Sequence, residues 1–151
     1  GAGKTTLVRG MLRGLGHVGP VKSPTFSVLE PYESERFELY HFDLYRLADG
    51  DELEMIGARD YFRNDAICVF EWPERAHGWL PAAALVIVIE PLSPGRAALE
   101  REPNDDDRSG PAPEGRWVEL RAHHRSALAL LDALDTLAPA DARCLIPRGR
   151  A

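Results

Sequence analysis

The chain opens on Gly1-Ala2-Gly3-Lys4-Thr5-Thr6, and no other stretch limits its folding and chemistry as tightly. Gly3-Lys4-Thr5 matches the last fixed positions of the phosphate-binding pattern G-x-x-x-x-G-K-[ST]. Small residues let successive backbone N–H groups turn inward onto phosphate oxygens, which larger side chains would obstruct. A helix after the loop adds the positive end of its dipole to the same place. In such a loop Lys4 reaches the β- and γ-phosphates, Thr5 offers a hydroxyl to Mg2+, and Thr6 adds a hydroxyl or N–H on the α-phosphate side. Leu7, Met11, Leu12 and Leu15 recur at helical spacing and Gly16 follows as a stop, which predicts that helix. By chance the motif would occur in under about one chain in a hundred of this length. The first glycine of the full pattern falls three positions ahead of Gly1. The chain therefore reads as an N-terminally truncated copy, without the strand that leads into the loop.

A length of 151 residues suits one domain, and 44% hydrophobic with 28% charged residues is globular composition. The longest apolar run, around residues 82–89, is too short to cross a bilayer. The opening residues lack the charged-then-apolar character of a secretory leader. Cys68 and Cys144 lie far apart without metal-ligand spacing, so a reduced, cytoplasmic setting is expected. A net charge of −6 argues against a broad basic surface for nucleic acid.

Further along, Ser23-Pro24-Thr25 is a loop signal that leads into an extended stretch over residues 26–33. A charged turn separates this from residues 37–43, and the two stretches predict an antiparallel hairpin rich in aromatics. Asp49 or Asp51 is a candidate cap for a short helix with Gly57 near its end. Residues 66–70 form a continuous apolar run, expected to be a strand buried on both faces. Residues 84–90 and 116–122 are further strand candidates. Between them, residues 93–115 predict a long solvated loop, because Asp105-Asp106-Asp107 lacks the glycine and spaced glutamate of a calcium loop. A last helix spans residues 124–137 with Ala127, Leu130, Leu131 and Leu134 on its inner face, followed by a flexible tail. The expected fold is a three-layer α/β domain over residues 1–138 with a mixed, partly antiparallel sheet.

Phosphoryl chemistry needs a second carboxylate near the phosphate loop and a group that positions water. Glu71 ends the apolar run, at the edge of the sheet where α/β folds bind ligands. Asp43 closes the second hairpin strand, flanked by Phe42 and Tyr45. Surface pairing of Asp43 with Arg46, or of Glu71 with Arg75, is the plain alternative for each. His41 reads as packed in the sheet, and His17, His77, His123 and His124 as turn or surface residues. Trp72 either shields the site, stacks on a ligand or fills the core.

These motifs occur in a telling order: Gly1-Ala2-Gly3-Lys4-Thr5-Thr6, Val21-Lys22-Ser23-Pro24-Thr25-Phe26, Leu29-Glu30-Pro31-Tyr32, Tyr40-His41-Phe42-Asp43-Leu44-Tyr45-Arg46-Leu47, Asp60-Tyr61-Phe62 and Val69-Phe70-Glu71-Trp72-Pro73-Glu74-Arg75. The series resembles the TsaE (YjeE) family of small bacterial P-loop ATPases, from Gly1 to about Pro81. Beyond Pro81 only a strand–strand–helix ending is similar, and the loop at 93–115 looks peculiar to this chain. The resemblance implies ATP and Mg2+ as cofactors and a role in making threonylcarbamoyladenosine in tRNA, beside the partner proteins TsaD and TsaB. tRNA would be met only indirectly through that complex, and no membrane is implied. By motif, Gly1, Ala2, Gly3, Lys4, Thr5 and Thr6 would cradle the phosphates, with Thr5 as a magnesium ligand and Glu71 as a further one, direct or through water. Ser23 and Thr25 would sense the γ-phosphate, Asp43 would hold or polarise the metal–water cluster, and Trp72 would lie against the nucleotide. Two rivals share the phosphate loop: a non-catalytic nucleotide-dependent switch module, and behind it a P-loop small-molecule kinase. The kinase would need a basic lid, and Arg46, Arg59, Arg63 and Arg75 are not clustered as one.

Overall fold

The computed structural model describes residues 2–24, 27–92 and 115–137. Gly1, Thr25, Phe26, the loop residues 93–114 with Asp105 to Asp107, and the tail from 138 onward with Cys144 lie outside the described residues. The chain divides into two compact units, residues 3–82 and residues 83–151.

The first unit begins with helix α1, Lys4–Gly14. Its stop is a Schellman turn: Gly16 adopts φ +93°, its N–H donates to the Arg13 carbonyl, and the His17 N–H donates to the Leu12 carbonyl at 2.8 Å. Strands β1 (Leu29–Glu33), β2 (Glu38–Asp43) and β3 (Ile67–Glu71) form one mixed sheet in the order β1-β2-β3. The expected hairpin is present, with Leu29 opposite Phe42 and Glu33 opposite Glu38. Pro31 can sit in β1 because, among the described residues, that strand pairs with β2 alone, so its missing N–H leaves the ladder with β2 workable. Strand β3 runs parallel to β2, with His41 opposite Val69 and Asp43 opposite Glu71.

Side chains alternate across a strand, so the two faces of this sheet carry different residues. Leu39 and Val69 pack with Val8 and Leu12 of α1 and with Tyr32. Tyr40, Phe42, Cys68 and Phe70 pack the opposite way, with Leu44, Leu47, Leu53, Ala58, Tyr61 and Phe62. That second cluster is supplied by the segment between β2 and β3, which holds helix α2 (Asp51–Met55) and a 3-10 turn at Ala58–Tyr61. Each fully buried apolar side chain of this kind contributes about 1.5–3 kcal/mol relative to leaving it in water.

Several sequence expectations need correcting here. Of the four residues read at helical spacing in α1, only Leu12 is fully buried; Val8 joins it, while Leu7 and Leu15 are more than a third exposed. Strand β3 packs on both faces, Val69 on one and Cys68 with Phe70 on the other, but these side chains are only half-buried and Ile67 at its start is exposed, since β3 pairs with β2 alone among the described residues. Neither Asp49 nor Asp51 is the N-cap of α2. Gly50 holds that position, and the Asp49 carboxylate accepts the Asp51 N–H at 3.0 Å. Gly50 is required there by packing: a Cβ would lie 2.0 Å from the Trp79 ring. His17 lies in the turn that ends α1, as expected of a turn residue, and is half-buried with its ring meeting Tyr32 edge-on at 5.2 Å between centroids.

The second unit contains β4 (Leu85–Pro91), β5 (Arg116–Ala122) and helix α3 (Arg125–Leu137). Strands β4 and β5 pair antiparallel, Leu85 opposite Ala122, in a two-stranded sheet of their own. Among the described residues the mixed sheet comprises β1, β2 and β3. In α3 Ala127 is buried as expected, but Leu130 and Leu134 are exposed. No helix among the described residues is long and apolar enough to cross a membrane.

Candidate functional site

The site forms where the start of α1 meets the C-terminal end of β3. Gly3 is the N-cap of α1 in a left-handed conformation, φ +108°, which a residue with a Cβ adopts only under strain. No side chain caps this helix and no acidic residue sits in its first turn. The N–H groups of the opening turn thus lack intrahelical partners and form the positive end of the helix dipole, the arrangement that suits an anion.

Glu71 gathers the polar side chains around that end. The Thr5 hydroxyl donates to Glu71 Oε1 at 2.9 Å, and Lys4 Nζ lies 3.7 Å from Oε2. His41 Nε2 is 3.0 Å from the same Oε1 and the ring is fully buried. A carboxylate accepts and cannot donate, so Nε2 carries the proton and donates. Burial by itself opposes ionisation of Glu71. The hydrogen bonds from His41 and Thr5, with the charge of Lys4 nearby, outweigh it and hold the carboxyl below its ordinary value of 4.5. Glu71 therefore reaches inward to α1 and β2 and does not follow the surface pairing with Arg75, whose guanidinium lies 5.6 Å from the Tyr45 ring centre.

Trp72, next in the chain, sits in the left-handed region at φ 60°, a costly conformation for a bulky side chain. That turn presents its half-exposed ring to Lys4, with Nζ 4.5 Å from the ring centre, and to Tyr45 at 5.0 Å between centroids. The Lys4 ammonium is thus shared between a carboxylate and an aromatic face. Val28, β-branched, is also left-handed at φ 63°, and its carbonyl accepts the Asp43 N–H at 2.9 Å. Both strained residues flank the end of the sheet where the polar cluster lies.

Asp43 ends β2 in register with Glu71, and its carboxylate accepts the Tyr45 N–H at 3.1 Å. The Leu44 N–H donates to the Glu71 carbonyl at 3.0 Å, which ties the two strand ends together. The structure brings Lys4, Thr5, Glu71 and Trp72 into one cluster with Asp43 at its margin. Thr6 is exposed on α1 and Ser23 is exposed in the loop before β1. The root of that loop is held by Tyr32, whose hydroxyl accepts the Lys22 N–H at 3.1 Å and donates to the Lys22 carbonyl at 3.2 Å. His41 is the residue that sequence reasoning placed correctly but left without a role. The signal lay in the alternation His41-x-Asp43 and Val69-x-Glu71, which puts His41 and Glu71 on one face once β2 and β3 run parallel.

No group of three or more His, Cys, Asp or Glu side chains that could hold a metal ion occurs among the described residues. An ionised carboxylate beside a hydroxyl is nonetheless a hard oxygen donor set. It fits a magnesium ion that draws its remaining ligands from water and phosphate.

Residues 1–98 match the family model described as threonylcarbamoyl adenosine biosynthesis protein TsaE. The chain is 57% identical over 90 residues to a Haemophilus influenzae protein named tRNA threonylcarbamoyladenosine biosynthesis protein TsaE, covering 60% of this chain and 57% of that protein. To the Bacillus subtilis protein of the same name it is 41% identical over 90 residues, covering 60% and 56%. The chain thus spans little more than half the length of these two relatives. Its fold superposes on the crystal structure of Bacillus subtilis YdiB with a TM-score of 0.61 and 27% identity, covering 91% of this chain and 72% of that one. With the family model matching residues 1–98 of 151, the chain belongs to the TsaE family.

Proposed function

We propose that this protein is a P-loop ATPase: the ATP-binding and ATP-hydrolysing subunit of the cytoplasmic machinery that makes N6-threonylcarbamoyladenosine in tRNA, supporting turnover of TsaD and TsaB. The observation that carries this reading is the meeting of Lys4 and Thr5, from the uncapped start of α1, with the ionised Glu71 at the end of β3. Backbone N–H groups of the loop and first turn bind the phosphates, and Lys4 exchanges Glu71 for a phosphate oxygen. The Thr5 hydroxyl and the Glu71 carboxylate hold Mg2+, which when bound offsets the charge developing on the transferred phosphoryl group. Asp43, level with Glu71 across the sheet, orders the attacking water, and Ser23 and Thr25 sense the γ-phosphate. Trp72 borders the nucleotide. The net charge of −6 favours leaving tRNA recognition to the partner proteins.

The test is ATP hydrolysis by the full-length protein as its gene encodes it, with and without TsaD and TsaB, beside K4A and E71A. Hydrolysis that rises with the partners and falls about 100-fold or more in both variants is expected. Tight ATP binding without turnover in any combination would instead establish the switch module, a reading favoured by one observation: Lys4 is already engaged by Glu71 and Trp72, so nucleotide must displace it. A small-molecule kinase has less support, because Arg59 pairs with Glu54 and Arg63 with Glu38 and Asp65.

A further inference from the structure

His41 is an awkward residue for the place it occupies. It is fully buried in the middle of β2, level with Leu39 on the face that packs against α1, where an apolar side chain would be ordinary. Its Nδ1 is buried without a hydrogen-bond partner, a penalty that an apolar residue would not carry. What the ring achieves is one hydrogen bond, from Nε2 to Glu71 Oε1. That oxygen accepts twice, from His41 and from the Thr5 hydroxyl, while Oε2 faces Lys4. The two donors differ in kind. Thr5 sits in the first turn of α1 and its hydroxyl can rotate to another partner. His41 is fixed by the sheet and cannot.

We propose that His41 is a positioning residue for the metal site: it anchors Oε1 from inside the sheet, so that the Glu71 carboxylate keeps its orientation when Thr5 releases it. The inference rests on the reading of Glu71 and Thr5 as magnesium ligands. Outer-shell donors that orient a metal-binding carboxylate set affinity for the ion by about 10–100-fold. The effect of His41 therefore falls on the metal and not on the nucleotide phosphates, which Lys4 and the loop N–H groups hold.

The experiment is calorimetric titration of the full-length protein with ATP, with and without Mg2+, for the wild type, H41L, H41Q and the exposed-residue control H77Q. Glutamine can carry an N–H donor to about the place of Nε2, and leucine cannot. The expected result is that Mg2+ strengthens ATP binding by the wild type, H77Q and H41Q, and that H41L loses about tenfold of this gain. Binding by H41L without Mg2+ should move by less than about twofold. A thermal melt of each variant reads folding separately. If H41L and H41Q are destabilised alike while both keep the full Mg2+ gain, His41 is a packing residue and the proposal is overturned. If the wild type binds ATP with no Mg2+ gain, the assignment of Glu71 and Thr5 falls and takes this role with it. If the wild type binds no ATP at all, the nucleotide reading itself is at fault.

Discussion

The two faces of the three-stranded sheet are built from the same strands and do opposite things. On one face Phe42 stacks on Phe70, 4.9 Å between ring centres and 22° apart in plane, with Phe62 set edge-on at 6.0 Å and Tyr61 tilted against Tyr40 at 4.7 Å. Such pairs add about 0.5–1.5 kcal/mol each beyond the area they bury. The other face has a smaller apolar cluster, Val8, Leu12, Tyr32, Leu39 and Val69, and then gives up its C-terminal end to His41, Glu71, Thr5 and Lys4. A desolvated carboxylate and an orphaned ring nitrogen cost stability that the aromatic face can supply. One face holds the fold, and the other spends part of that stability on an ordered polar site.

The largest effect that separates the faces should come from Phe42→Ala. It removes a fully buried ring from the centre of the aromatic cluster and should cost about 3–5 kcal/mol, read from urea unfolding midpoints. A loss below about 1 kcal/mol would mean that the aromatic face is not the main source of stability. Gly50→Ala acts on the rim of the same cluster, where the new Cβ would meet the Trp79 ring at 2.0 Å. The ring or the α2 start must shift, at a cost of about 1–3 kcal/mol. Unaltered Trp fluorescence with unaltered stability would show that Trp79 is not held against Gly50.

The polar face should show itself through pH. The folded Glu71 carboxyl lies below its ordinary value of 4.5, so its contribution is present above that pH and is lost as pH falls through the folded value. Unfolding curves collected downward from pH 6 should therefore show wild type losing more stability than Glu71→Gln below pH 4.5. Parallel loss in the two proteins would mean that Glu71 is not held ionised by its neighbours.

Much of this was legible in the chain alone because the signals are local. The start of α1 after Gly3, its stop at Gly16, the hairpin of β1 and β2 and the placement of Glu71 at a strand end all follow from short patterns. Facing was harder. Leu7 and Leu15 fit a helical stripe as well as Val8 and Leu12 do, and only the position of the sheet decides between them. The same holds for Leu130 and Leu134 in α3. The role of His41 needed the parallel register of β2 on β3, a pairing across 30 residues that no local pattern states. Burial of β3 was overestimated because an apolar run records the side chains' character and not how many strands flank them.

The central claim is that the polar face is a nucleotide site and the aromatic face is its support. The most direct test titrates MgATP into the full-length wild type, K4A and F42L, with a thermal melt of each. The account predicts that K4A keeps its melting temperature and loses at least about tenfold in affinity, while F42L melts lower and still binds. Binding that survives in K4A, or disappears in a folded F42L, would contradict it.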